Sequence, residues 1–204
     1  MINSSAWLSR AGRRLPFFLL SCVFLLEVAQ AQSQSQSQSQ LLDESAVKAT
    51  FIYYFLQLIT WPKELDDPPI RFCVVDVNTP TMSTFEQLLS SPKAAKMIVN
   101  VSVLLTPRES TQCDYIFIDS RNSHFVLPVL SLTNGMGILT VSDAKGFASA
   151  GGIIELERNS SKVKIVINRE ALSANGLKAS SKLMKSAEII STGKMEGARH
   201  AMAE

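Results

Sequence analysis

From residue 46 onward, apolar and polar positions change period repeatedly, and each change predicts an element. Val47, Phe51, Tyr54, Phe55 and Leu58 recur at helical spacing, so a helix is expected from Ala46 to about Thr60, capped by Ser45. Trp61-Pro62 stops it, because proline disfavours helical backbone in the residue before it. Asp66-Asp67-Pro68-Pro69 reads as a turn. Strands are expected at Ile70–Asp76, Ile98–Leu104, Tyr115–Asp119 and Gly137–Ser142, with helices near Thr81–Ser90 and His124–Leu132 between them. Gly151-Gly152 opens a hairpin of Ile153–Glu157 and Lys162–Asn168, in which Val163, Ile165 and Ile167 alternate with Lys162, Lys164 and Val166 to leave one wet face. Helical turns over Arg169–Ala174, a break at Gly176 and a helix from Ser180 to Ile190 close the pattern. Alternating strands and helices followed by an antiparallel addition predict an α/β three-layer sandwich, with a mainly parallel sheet and a C-terminal antiparallel hairpin.

The first 42 residues follow another logic. Arg10, Arg13 and Arg14 precede the apolar stretch Leu15–Leu26, and Ala29-Gln30-Ala31 offers a small-x-small cleavage site. That is the pattern of a secretory signal, too short to span a membrane. Leu19-Leu20-Ser21-Cys22 loosely resembles a lipid-attachment site, but Val23–Leu26 would leave greasy residues directly after the modified cysteine. The Gln-Ser alternation of Gln32–Gln40 has no apolar face and reads as a flexible linker. The expected organisation is a signal peptide over 1–31, a linker over 32–42, one domain over 43–192 and a frayed tail over 193–204.

Composition narrows the function. The chain of 204 residues is 46% hydrophobic and 19% charged, which excludes a disordered protein. Its formal charge of +2 disappears with residues 1–31, leaving 17 basic and 17 acidic residues. A neutral domain without a basic stripe gives no support to nucleic-acid binding. Its two histidines, His124 and His200, are far apart, and no metalloprotease, nucleophile-elbow, phosphate-loop or dinucleotide motif occurs. No catalytic residue, metal site or cofactor is therefore expected. Ser142-Asp143 ends a strand, where α/β ligand sites gather, but a turn former is the plainer reading.

Once Cys22 departs with the signal, Cys73 and Cys113 remain. An even pair in an exported chain, one inside a strand-like run and one just before another, favours a disulfide. Such a bridge could be a plain staple or a redox sensor. Tyr53, Tyr54 and Trp61 suggest a second role for the first helix. Aromatics on more than one side of a helix can anchor a protein partner, with burial of Trp61 as a lid on the core as the alternative.

These residues together resemble the YfiR-like periplasmic proteins. The resemblance runs through Lys48-Ala49-x-Phe51-Ile52-x-x-Phe55, Ile59-x-Trp61-Pro62, Cys73, Cys113-Asp114 and Leu139-Thr140-Val141-Ser142-Asp143. It continues with Phe147-Ala148-x-x-Gly151-Gly152, Ile167-Asn168, Gly176-Leu177-Lys178 and Ser181-Lys182-Leu183, spanning residues 46–190. The resemblance implies an exported, often dimeric α/β domain that holds an inner-membrane diguanylate cyclase inactive by binding its periplasmic region. It also implies that an outer-membrane lipoprotein can sequester this repressor, releasing the cyclase and raising cyclic di-GMP and biofilm formation. The chain departs from the family in two places. Tyr54 stands where an asparagine commonly precedes the matched phenylalanine, and a second disulfide near Gly151-Gly152 has no cysteines to form it. Two rival readings remain: a periplasmic small-molecule-binding module feeding a sensor kinase or transporter, with its pocket near Ser142-Asp143, and a hydrolase.

Overall fold

The computed structural model describes residues 44–62, 69–92, 98–159 and 162–191. The expected signal peptide, linker and tail lie outside the described residues, as does the turn at 66–68. Helix α1 runs over 44–58. It is followed by β1 (Ile59–Thr60), β2 (Ile70–Val74), α2 (Pro80–Leu89), β3 (Val99–Val103), β4 (Tyr115–Ile118) and α3 (Val126–Thr133). The chain continues through β5 (Leu139–Ser142), β6 (Ile154–Asn159), β7 (Lys162–Asn168), α4 (Arg169–Ala174), β8 (Lys178–Ala179), α5 (Ser181–Ser186) and β9 (Glu188–Ile190). Short 3-10 helices at Pro107–Gln112 and Ser120–Phe125 precede β4 and α3.

Seven strands form one sheet in the order β3-β2-β4-β5-β6-β7-β9. All pairs are parallel except the β6–β7 hairpin, so the architecture is the expected mainly parallel α/β sandwich. The strand period of two sorts residues between the faces. Phe72, Val74, Tyr115, Phe117, Leu139, Val141, Ile154 and Leu156 point to the first face, packed with residues of α1, α2, α4 and α5. Cys73, Ile116 and Ile118 point to the second face, where Val126 and Val129 of α3 join Cys113 and Phe147. Towards β7 and β9 this second face turns polar, and Lys164 bridges Glu157 (3.4 Å) and Glu188 (2.6 Å).

Local chemistry explains several element ends. Thr79 caps α2 by accepting from the Met82 N–H, with Pro80 in the first turn, where its missing N–H costs nothing. Pro128 is tolerated in the first turn of α3 for the same reason. Asn168, fully buried, donates to the Ala148 carbonyl (2.8 Å) and accepts from Ala171 N–H (3.1 Å), ending β7 and starting α4.

Four expectations need correction. Residue 44 is already helical, so Ser45 lies within α1 rather than capping it. Its buried face holds Ala49, Ile52, Tyr53, Phe55 and Leu56, rotated by roughly two-fifths of a turn from the face centred on Val47, Phe51 and Tyr54. The helix also ends two residues early, because Ile59 and Thr60 pair with Ala179 and Lys178. At the other end, the helix expected over Ser180–Ile190 stops at Ser186. The β-branched pair Ile189-Ile190 instead lies alongside Ile167 and Asn168 as β9. Pairing with β7 overrides the local helical pattern.

Candidate functional site

The order β3-β2-β4-β5 places a switch point between β2 and β4, and α/β ligand sites favour the carboxyl ends of strands beside such a point. Here those ends carry Asp76, Asp119 and Asp143. Each of these carboxylates is engaged by a cation. Lys48 of α1 reaches across to Asp143 Oδ2 (2.6 Å) and back to Glu44 Oε1 (2.6 Å), while Arg158 of β6 holds the other Glu44 oxygen at 3.1 Å. The remaining oxygen of Asp143 accepts from Ser120 N–H. Side-chain exposure is 14% for Lys48 and 4% for Asp143, so the pair is largely dry. Burial pushes the Lys48 ammonium down, yet its hydrogen bonds to Asp143 and Glu44, with their charges, outweigh that and leave its pKa raised.

Arg121 closes the other side, with Nε 2.8 Å from Asp119 Oδ1 and a longer 4.0 Å approach to Asp76. Partial burial pushes the Asp119 carboxyl up, but hydrogen bonds from the Arg121 side chain and backbone prevail, and its pKa falls below 3.8. Ser142 is buried, donating to the Ile118 carbonyl (2.6 Å) and receiving the Ala144 N–H (3.0 Å). That hydroxyl is a strand clasp, not an attacking group. Among the described residues, no cluster of His, Cys, Asp and Glu could hold a metal ion.

At the opposite end of the sheet the aromatic and cysteine motifs meet. Trp61 is only 7% exposed, and its Nε1 donates to the Asp114 carbonyl at 3.1 Å. The Asp114 carboxylate accepts a fork from Arg71 at 3.0 and 2.7 Å, and also takes the Arg71 N–H. Next to it, Cys113 is joined to Cys73 in a disulfide, with the Cα atoms 6.0 Å apart. Trp61 and Tyr53 are therefore core residues, which puts them out of reach as interface anchors. Tyr54 is 47% exposed, with its ring 5.8 Å from Tyr53.

The glycine motif is equally structural. Both Glu155 carboxylate oxygens accept backbone N–H groups, from Gly146 and Ala148, at 2.9 Å each. Gly152 lies so close to the Phe147 ring that an added Cβ would sit 2.1 Å from it. Sequence reasoning missed the Lys48–Asp143 and Trp61–Asp114 contacts, although all four residues belong to the motifs that carry the resemblance. Those motifs are the ties that hold α1, the sheet and the glycine loop together. Large apolar side chains at the surface are found elsewhere, at Ile98, Val103 and Leu105 near β3 and at Leu127, Leu132 and Met136 around α3.

Comparison with known proteins agrees with this layout. A family model described as YfiR/HmsC-like matches residues 45–188. Among curated proteins, no relative matches the chain. Among solved structures, the ABC domain in complex with L-Trp from Streptococcus pneumonia is similar, with a TM-score of 0.51 and 12% identity over 71% of this chain. The match covers 60% of that domain's length. A ligand-free, open substrate-binding protein with adhesive properties from Clostridium difficile gives a TM-score of 0.45 at 13% identity, over 64% of this chain and 57% of that one. At such identities the likeness to the first shows the α/β fold alone.

Proposed function

The chain belongs to the YfiR/HmsC-like family, and on that premise we propose that it is a periplasmic signalling repressor acting by protein contact. Its target in this reading is the periplasmic sensory region of an inner-membrane diguanylate cyclase. Binding lowers cyclic di-GMP and biofilm formation, an outer-membrane lipoprotein relieves the repression, and the repressor is not an enzyme. The observation that carries this reading is the family match across residues 45–188. The site geometry supports it, because Asp143, Asp119 and Ser142 are engaged in holding strand ends together. This turns the polar groups nearest the rival small-molecule pocket, Ser142 and Asp143, toward structural partners. No helix of the described residues is long and apolar enough to cross a membrane. Of the three aromatics, this reading assigns the partner contact to Tyr54, which is exposed, while Tyr53 and Trp61 are buried.

Deleting the encoding gene tests the reading. Cyclic di-GMP and biofilm should rise severalfold and fall again when the exported chain is restored. Tyr54→Ala should weaken repression with an unchanged melting temperature, whereas Trp61→Ala should cost roughly 3–5 kcal/mol of stability as a buried aromatic truncation. Unchanged cyclic di-GMP on deletion, or full complementation by a chain lacking residues 1–31, would contradict it.

A further inference from the structure

Strand β3 is one edge of the seven-stranded sheet. The Ile70 N–H donates to the Ile98 carbonyl (2.8 Å), and the Leu104 N–H donates to the Val74 carbonyl (2.7 Å). Residues 98 and 104 thus face inward, and the two-residue period turns Asn100 and Ser102 the same way. The backbone groups of Val99, Val101 and Val103 point outward, where the sheet adds no further strand among the described residues. Register with Ile70, Phe72 and Val74 puts these three valine side chains on the first face. Asn100 and Ser102, both exposed, lie on the second face beside Arg71 and Cys73.

Sheet edges are ordinarily protected by lysine, proline or a bulge, and Ile98–Leu104 contains no charge and no proline. The segment Val99-Asn100-Val101-Ser102-Val103 also has the same apolar-polar order in both directions. We propose that β3 pairs with β3 of a second copy, antiparallel about a two-fold axis through Val101. This joins two sheets edge to edge.

In that register Val101 meets Val101, and Val99 meets Val103 of the second copy. All are outward-facing residues, so each pair exchanges both of its backbone hydrogen bonds. Asn100 falls opposite Ser102 on the polar face, a cross-strand pair able to hydrogen-bond. Both faces continue across the junction, apolar against apolar and polar against polar. A two-fold axis brings each nearby group against its own kind, so a charge there would repel its copy. From Ile98 to Pro107 there is none. Arg71, one strand in, is paired with Asp114, and the Glu109 carboxylate that accepts the Leu105 N–H (2.9 Å) lies beyond the paired residues.

Area sets the strength. A stable interface covers roughly 800 Å² per partner, more than a five-residue ladder supplies. The exposed side chains of Ile98, Val103 and Leu105 add to it, with Leu105 77% exposed. The pairing is therefore of the weak, reversible kind. The family resemblance implies dimers without saying which surface forms them; this inference names the surface and the register.

Sedimentation of the exported chain, purified from the periplasm, tests it with two variants. Asn100→Lys with Ser102→Lys sets lysine opposite lysine twice and should weaken association by roughly tenfold or more. Asn100→Lys with Ser102→Glu sets lysine opposite glutamate twice and should associate at least as tightly as wild type. The two variants differ only in the sign of one exposed charge, so a general folding defect would not separate them. A wild-type chain that stays monomeric at about 100 µM, or a lysine pair that associates as strongly as wild type, would overturn the inference. A wild-type chain that is monomeric and still represses in cells would overturn this pairing and leave the repressor reading standing.

Discussion

The two faces of the sheet are built to different standards. On the first, four helices pack a continuous apolar layer, with Phe72 at its centre 4.7 Å from the rings of both Phe85 and Tyr115. On the second, α3 and a 3-10 helix cover a smaller cluster, and the sheet turns polar beyond β6. The disulfide sits on this thinner side, tying β2 to the segment before β4. Where burial is ample the chain relies on packing, and where it is sparse a covalent link supplements it.

Truncating the centre of the thick face should do the most damage. Phe72→Ala is expected to cost roughly 3–5 kcal/mol in denaturant unfolding, since the ring is fully buried among aromatics. A loss under about 1 kcal/mol would mean that the first face is not the main source of stability.

On the thin face, Cys73→Ser should lower stability by 2–5 kcal/mol, and the loop-entropy estimate for a separation of 40 residues is about 4 kcal/mol. Chemical denaturation with and without reductant measures it. If reduction changes nothing, the second face holds without its link and the contrast drawn here fails.

Gly152→Ala probes the junction of the two layers. With the Phe147 ring in the way, roughly 1–3 kcal/mol of overpacking is expected, partly recovered by adding Phe147→Leu. Equal stability of Gly152→Ala and wild type would show that the glycine loop yields easily.

The smallest effects should be electrostatic. Asp119 has a folded pKa below its ordinary 3.8, so its contribution is complete above that value and is lost as pH falls through the folded pKa. Lys48 is raised above 10.5, so its contribution is complete below 10.5 and is lost as pH rises through the folded value. Asp119→Asn, which keeps an oxygen for the Arg121 N–H, should flatten the acid limb of a stability–pH curve by a fraction of a kcal/mol. An acid limb identical to wild type would remove the Arg121 pairing from the account.

Strand-forming runs such as Tyr115–Ile118 were legible because continuous β-branched and aromatic residues announce a buried strand. The cysteine pair was legible from its compartment and its strand context. Helix α1 was misread in phase because it is apolar on more than one side, and Tyr54 and Phe51 obscured the stripe that packs. Strand β9 was illegible, since its pairing with β7 is made across twenty residues of chain and leaves no local mark. The Lys48–Asp143 ion pair and the Trp61–Asp114 bond were hidden for the same reason. Their only trace was membership of a shared motif, which marks a residue without saying what it touches.

The central claim is repression by stoichiometric contact, and titration tests it most directly. Purified chain, carrying its disulfide, is added to membranes containing the proposed kind of target, a diguanylate cyclase with a periplasmic sensory region, and conversion of GTP to cyclic di-GMP is followed. Inhibition should grow with added chain and saturate near one chain per cyclase protomer, and Tyr54→Ala should shift the curve to higher concentration. Cyclic di-GMP synthesis unaffected by excess chain, or suppressed by trace amounts in a way that only turnover explains, would contradict the account.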